Sequence, residues 1–146
     1  MYPDPKVAQF VTDSFDPVRL HVKTHPDAMG RFNAQWTPTI LLLDRDGTER
    51  HRIEGFLPTD DFLAQLRLGA AHVAFAEKRF DDAGRLFAEI VEQHSDNEAA
   101  PEAQYWAGVS KYKATNDATA LQQTAAAFKE RYAGSSWAKK ASVWGG

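Results

Sequence analysis

A proline stands immediately ahead of an unbroken apolar run. The stretch reads Thr37-Pro38-Thr39-Ile40-Leu41-Leu42-Leu43 and continues into Asp44-Arg45-Asp46-Gly47. Proline has no N–H to give to a sheet, so it belongs at the start of a strand or on an edge. Pro38 therefore marks the entry of a strand whose body is Ile40 to Leu43. Consecutive apolar residues, rather than alternating ones, predict a strand covered on both faces. Asp46-Gly47 predicts a hairpin, because both residues tolerate positive φ. Thr48 to Glu54 then returns as a strand whose only large apolar residue is Ile53, the pattern of an edge that resists further pairing.

The residues on either side supply helices and one more strand pattern. Pro5 suits the first position of a helix, and Val7, Phe10, Val11 and Phe15 share one face at helical spacing. Asp16-Pro17 ends that helix. Val18, Leu20 and Val22 alternate with Arg19, His21 and Lys23, which predicts a strand over Val18–Lys23. His25-Pro26 opens a second helix, carrying Ala28, Met29 and Phe32 and ending near Gln35. After Pro58, Thr59 is placed to cap a third, with Asp60 and Asp61 in its first turn and Phe62, Leu63 and Leu66 on its apolar face.

The composition changes at Gly69, which either breaks this helix or lets another element pack closely against it. Beyond it the chain is rich in Ala and Gln with helical spacing, and the pattern divides the chain into 1–68 and 69–146. Gly69 to Lys78 reads as one helix, and Asp81 or Asp82 caps the next, which carries Ala83, Leu86, Phe87, Ile90 and Val91. Ser95-Asp96-Asn97 is a loop. Pro101 starts a helix with Tyr105, Trp106, Val109 and Tyr112, and Asn116-Asp117 turns into another with Leu121, Ala125 and Phe128. Gly134 closes that helix, and Ser135 or Ser136 caps a last one through Trp144.

Several classes of function fall away. The formal charge is −3 with no basic stripe, so nucleic acid is not expected as a partner. No apolar run reaches the ~20 residues of a membrane span, and the first residues lack the basic and apolar regions of a signal peptide, so the chain as given is expected in the cytoplasm. There is no cysteine, hence no disulfide and no thiolate. His21, His25, His51, His72 and His94 show no metal-binding spacing on a helix; Asp44, Asp46 and Glu49 flank the hairpin and could hold a cation, yet the turn itself explains Asp46 and Gly47. No catalytic residue, metal site or cofactor is expected.

The order of elements resembles the C-terminal two-thirds of a thioredoxin-like fold. The resemblance rests on Val18–Lys23, Pro26–Gln35, Trp36-Thr37-Pro38-Thr39, Leu41–Leu43, Asp46-Gly47, Gly55 and the helix at Phe62. It implies an α/β thioredoxin-like part with a cis Pro38 and with Trp36, Thr37 and Pro38 forming a peptide-binding loop; the alternative is that Pro38 only sets the strand's entry. The family's Trp-Cys-x-x-Cys is absent, and the chain is expected to begin just after it, without the N-terminal strand and active-site helix. That strand would lie between Val18–Lys23 and the Ile40 strand. The resemblance therefore implies either that these two pair directly or that a second copy of the chain donates a strand or covers the gap.

The remainder resembles tetratricopeptide hairpins through Phe80-Asp81-Asp82-Ala83 with Phe87, and through Ala103, Tyr105-Trp106 and Gly108 with Ala118 or Ala120 and Phe128. An all-α, tetratricopeptide-like region would offer Tyr105, Tyr112 and Trp137 as surface contacts. Two functions follow from the resemblances. One is a redox-inactive module binding a protein or peptide; the other is part of a longer thiol–disulfide oxidoreductase whose cysteines precede Met1.

Overall fold

The computed structural model describes residues 4–145. The architecture is mainly helical with one small sheet. Its elements are α1 (Pro5–Ser14), α2 (Pro26–Arg31), β1 (Thr39–Leu43), β2 (Glu49–Glu54), α3 (Thr59–Ala76), α4 (Phe80–Gln93), α5 (Ala99–Thr115), α6 (Thr119–Glu130) and α7 (Ser136–Ala141), closed by a 3₁₀ turn at Ser142–Gly145. Two cores lie on opposite faces of α3. One gathers Val7 and Val11 of α1, Leu42 and Ile53 of the sheet, and Phe62 and Leu66 of α3. The other gathers Leu68 and Ala71 of α3 with Ala83, Phe87 and Ile90 of α4 and Ala103 of α5.

The local signals explain most boundaries. Asp4 caps α1 by accepting from the Lys6 amide at 2.8 Å, and Pro5 occupies the first turn. Asn116 ends α5 in the left-handed region at φ 57°, and Ser135 caps α7 through the Ala138 amide. The hairpin turn is built by Asp44. Its carboxylate accepts from the amides of Asp46 and Thr48 at 2.9 and 3.0 Å and from Arg50 Nε at 2.9 Å. Gly47 supplies the one positive φ of this turn, +80°. Several helix ends differ from expectation, among them α5, which starts at Ala99 rather than Pro101, and α6, which ends at Glu130 rather than at Gly134. α2 stops at Arg31, because Asn33 turns left-handed at φ 52°. Pro58, not Thr59, holds the N-cap position of α3, and α4 starts at Phe80 with both aspartates inside its first turn.

Larger corrections concern Gly69 and the strands. The expected break at Gly69 does not occur; α3 runs unbroken from Thr59 to Ala76. The glycine serves close approach instead. A Cβ there would lie 2.4 Å from Leu42 Cδ2 and 3.1 Å from His51 Cβ, so the sheet sits directly on the helix backbone. The expected strand over Val18–Lys23 does not form either; among the described residues the sheet has two strands, β1 and β2, antiparallel. Val18 is 82% exposed, and Leu20 and Val22 are exposed as well. Direct pairing of this segment with β1 is thereby overturned. Alternation gives a strand an apolar face, but its N–H and C=O groups need a neighbouring strand; here the His21 carbonyl accepts from the Thr24 and His25 amides and the Lys23 amide donates to His21 Nδ1, so the segment ends in a local turn.

Nor is β1 covered on both faces. Ile40 and Leu42 face α1 and α3, while Leu43 on the other side is exposed, because α2 packs on no other helix or strand. Register along the hairpin pairs Ile40 with Ile53 and Leu42 with His51, then slips so that Leu43 meets Glu49. Beyond α3 the chain stacks as helices. α4 packs against α3 and α5, α6 and α7 pack against α5, and α3 also touches α5. α5 and α6 cross closely at Gly108, where a Cβ would lie 1.9 Å from Thr124 Oγ1.

Candidate functional site

The loop before β1 is held from both sides. The Thr39 hydroxyl donates to the Trp36 carbonyl at 2.6 Å, and the Gly55 amide donates to the Pro38 carbonyl at 2.8 Å. Gly55 reaches that position at φ +85°, a conformation costly for a residue with a Cβ. The Thr37–Pro38 peptide bond is cis. Between these two anchors the N–H and C=O of Thr37 make no hydrogen bond among the described residues.

Trp36 is 67% exposed beside it, and Thr37 and Pro38 are exposed too. Phe56, next to Gly55, is 69% exposed. The sequence reading did not single out Phe56. Its signal was an aromatic residue just after the glycine that ends a charged strand, outside any helical or strand period. Trp36 and, through the Gly55–Pro38 hydrogen bond, the residue before Phe56 thus adjoin this backbone, at the end of a strand that pairs on one edge only among the described residues. Such a surface can take up an extended chain by main-chain hydrogen bonding, with side chains seated on the aromatics.

The second group of candidates lies on the helices. Tyr105 and Trp137 are brought together: Tyr105 stacks on Trp144 at 4.9 Å between centroids and contacts Trp137 at 5.3 Å and Trp106 at 5.4 Å. The Lys140 ammonium lies 3.9 Å over the Trp137 ring. All four aromatic rings are half-buried, so this cluster fastens α7 and the terminal 3₁₀ turn to α5. Tyr112, half-buried on α5, joins none of these ring contacts.

Charged residues on the hairpin are used up in its own structure. Arg52 bonds Glu49 and Glu54 and donates to the carbonyls of Phe32 and Asn33, which ties the end of α2 to β2. Hydrogen bonding from Arg52 holds the Glu49 carboxyl below its ordinary value. The Thr48 amide, then Arg50, do the same for Asp44. Among the described residues no three His, Cys, Asp or Glu side chains gather as metal ligands.

Residues 2–70 match the family model of a thioredoxin-like domain. This supports a thioredoxin-like family for the first part of the chain, the part holding the hairpin and its proline loop. No curated protein and no solved structure matches the chain. The thiol–disulfide chemistry of that family needs a thiolate, and none of the 146 residues is a cysteine. No helix of the described residues is long and apolar enough to cross a membrane.

Proposed function

We propose that this chain is a protein-binding module that takes up an extended peptide segment along the Trp36–Pro38 loop and the free edge of β1. The observation that carries this is the backbone of Thr37, without a hydrogen bond among the described residues, next to exposed Trp36 and one residue ahead of Pro38, which Gly55 holds, at the start of a strand paired on one edge. Hydrogen bonds from Thr39 and Gly55 hold the loop on both sides, which lowers the ordering entropy that binding there would cost. Pairing along β1 supplies affinity without sequence preference, and the two aromatics supply preference for apolar side chains. In the helical part α4 packs on α3 and α5, α6 on α5 and α7, and α5 touches both α3 and α7, contacts that we take as like those of tetratricopeptide hairpins. We read it as a second docking surface, with Tyr112 among its contacts.

Peptides selected by display against the purified chain test this reading. Bound peptide should shift the amide resonances of Thr37, Thr39 to Leu43 and Gly55, and Trp36→Ala should weaken binding about tenfold, the value of one lost aromatic anchor. Peptides that bind only along α5 and α7, with the hairpin resonances unmoved, would discard the loop. A second copy of the chain is the competing occupant of the β1 edge, and a dimer in sedimentation velocity that peptide does not dissociate would favour it.

A second reading makes the chain part of a longer thiol–disulfide oxidoreductase. What favours it is the presence, among the described residues, of both an open β1 edge and a separate strand-patterned segment, Val18 to Val22, with no strand beside it. An in-frame Trp-Cys-x-x-Cys upstream of Met1, or the mass of the endogenous protein, decides between the two readings. Insulin reduction by this chain alone, in dithiothreitol, is expected at background.

A further inference from the structure

Two histidines meet where the sheet rests on the helices. His51 projects from β2 over Gly69, and its ring stacks on that of His72 of α3, 6.1 Å between centroids and 23° from parallel. Nε2 of His51 lies 2.8 Å from the Gln65 side-chain oxygen, and Nε2 of His72 lies 2.7 Å from a Glu102 carboxylate oxygen of α5. Phe87 and Trp106 close the far side of His72, edge-on at 5.1 and 5.6 Å. The site thus joins β2, α3, α4 and α5 at one point, where both rings are at most half exposed.

The charges facing these rings are few. From α5 comes Glu102, bonded to His72. From α3 comes only neutral Gln65 beside the other histidine. β1 offers Leu42, and α4 offers Phe87, neither charged. On β2 itself Glu49 acts on His51, but it is already bonded to Arg52 at 3.0 Å. One carboxylate therefore balances one imidazolium. With both rings protonated, a second positive charge sits over the first with no acid of its own, in surroundings where burial disfavours charge.

We propose that the stacked His51–His72 pair is a proton-operated latch that frees the β1–β2 hairpin from α3 and α5 on mild acidification. The hairpin is suited to this role. Two strands alone are marginal in water, so its order depends on the helix it sits on. Burial holds the His51 ring below its ordinary value of 6.5, opposed by the Gln65 hydrogen bond and assisted by the neighbouring His72. A histidine lowered in the folded state contributes stability above 6.5 that is lost as pH falls through its folded value. The latch stands apart from the peptide reading: it needs no ligand, and its readout is the free chain.

Amide hydrogen exchange on the full chain tests it, each rate divided by the intrinsic rate at that pH. Between about pH 7.5 and about pH 5.5, where histidine changes charge, protection of Leu42, Ile53 and their neighbours should fall at least about tenfold relative to Phe87 and Ile90. In H51Q, which keeps a partner for Gln65 but cannot charge, the ratio should stay within about twofold. An unchanged ratio in the parent chain, or an undiminished fall in H51Q, overturns the latch. Should H51Q fail to fold, E102Q carries the test. Removing the one balancing carboxylate should move the release to higher pH, and a release unmoved or moved lower overturns the proposal.

Discussion

α4 and the Val18–Val22 segment are equally patterned and ended up differently. Both carry apolar residues at the period of their intended structure. α4 buries Ala83, Phe87 and Ile90 completely, while Val18, Leu20 and Val22 stand in solvent. A helix satisfies its backbone within itself and needs a neighbour only for one face. A strand needs a neighbour for its hydrogen bonds as well, and the described chain offers this one none. The helical half therefore closes from local pattern alone, whereas the sheet stops at two strands held by α3.

The largest break in that comparison is expected at Phe87, fully buried among α3, α4 and α5. Phe87→Ala should cost about 3–5 kcal/mol of unfolding free energy in urea titration, through lost burial and a residual cavity. A cost under about 1 kcal/mol would mean that the helices do not share a packed core. Gly108→Ala comes next. The new methyl would lie 1.9 Å from Thr124 Oγ1, which already donates to the Ala120 carbonyl. Overpacking of about 1–3 kcal/mol should outweigh the roughly 1 kcal/mol gained in helix propensity. Net stabilisation by this substitution would show that α5 and α6 do not cross there.

A smaller effect belongs to the clasp at the other end of the hairpin. Glu77 accepts from Arg79 at 2.9 Å and from Arg45 in the hairpin turn at 3.0 Å. Arg79 foremost, then Arg45, lower its carboxyl below the ordinary 4.5. A carboxyl lowered on folding adds stability above 4.5 and loses it as pH falls through the folded value. Glu77→Gln should thus flatten the stability–pH curve below about pH 4.5 and lower the plateau above it. Both arginines are largely solvated, so the change is modest and shrinks in salt. A curve identical in shape to that of the parent would remove Glu77 from the clasp.

What the sequence disclosed follows the same division. Helices announced themselves through their first residues and period: Pro5, Ser135 as one of two cap candidates, and the Ala83–Phe87–Ile90 face lie where their residue types put them. The hairpin was legible because Pro38 and Asp46-Gly47 bracket β1 locally. Gly69 was ambiguous, since a glycine that ends a helix and one that lets a sheet approach look alike until Leu42 and His51 are placed over it. The tie of Gly55 to Pro38, and the meeting of His51 with His72 and of His72 with Glu102, join residues far apart in the chain. No spacing rule connects them, so only the folded arrangement shows that they are neighbours.

The smallest expected effect sharpens the contrast most. Replacing Val18, Leu20 and Val22 together by Ser removes three β-patterned apolar side chains, yet each is already exposed, Val18 at 82%. Core deletions of this size would cost several kcal/mol; here the sum should stay within about 0.5 kcal/mol of the parent, as for surface changes that touch nothing. The isolated chain and the chain with a bound partner separate cleanly in this experiment. If the triple variant is unaltered in urea but loses peptide affinity or self-association, the segment is a strand only when something pairs with it. If it loses more than about 1 kcal/mol on its own, the alternation is satisfied inside the molecule, and the difference between strand and helix drawn above is wrong for this chain.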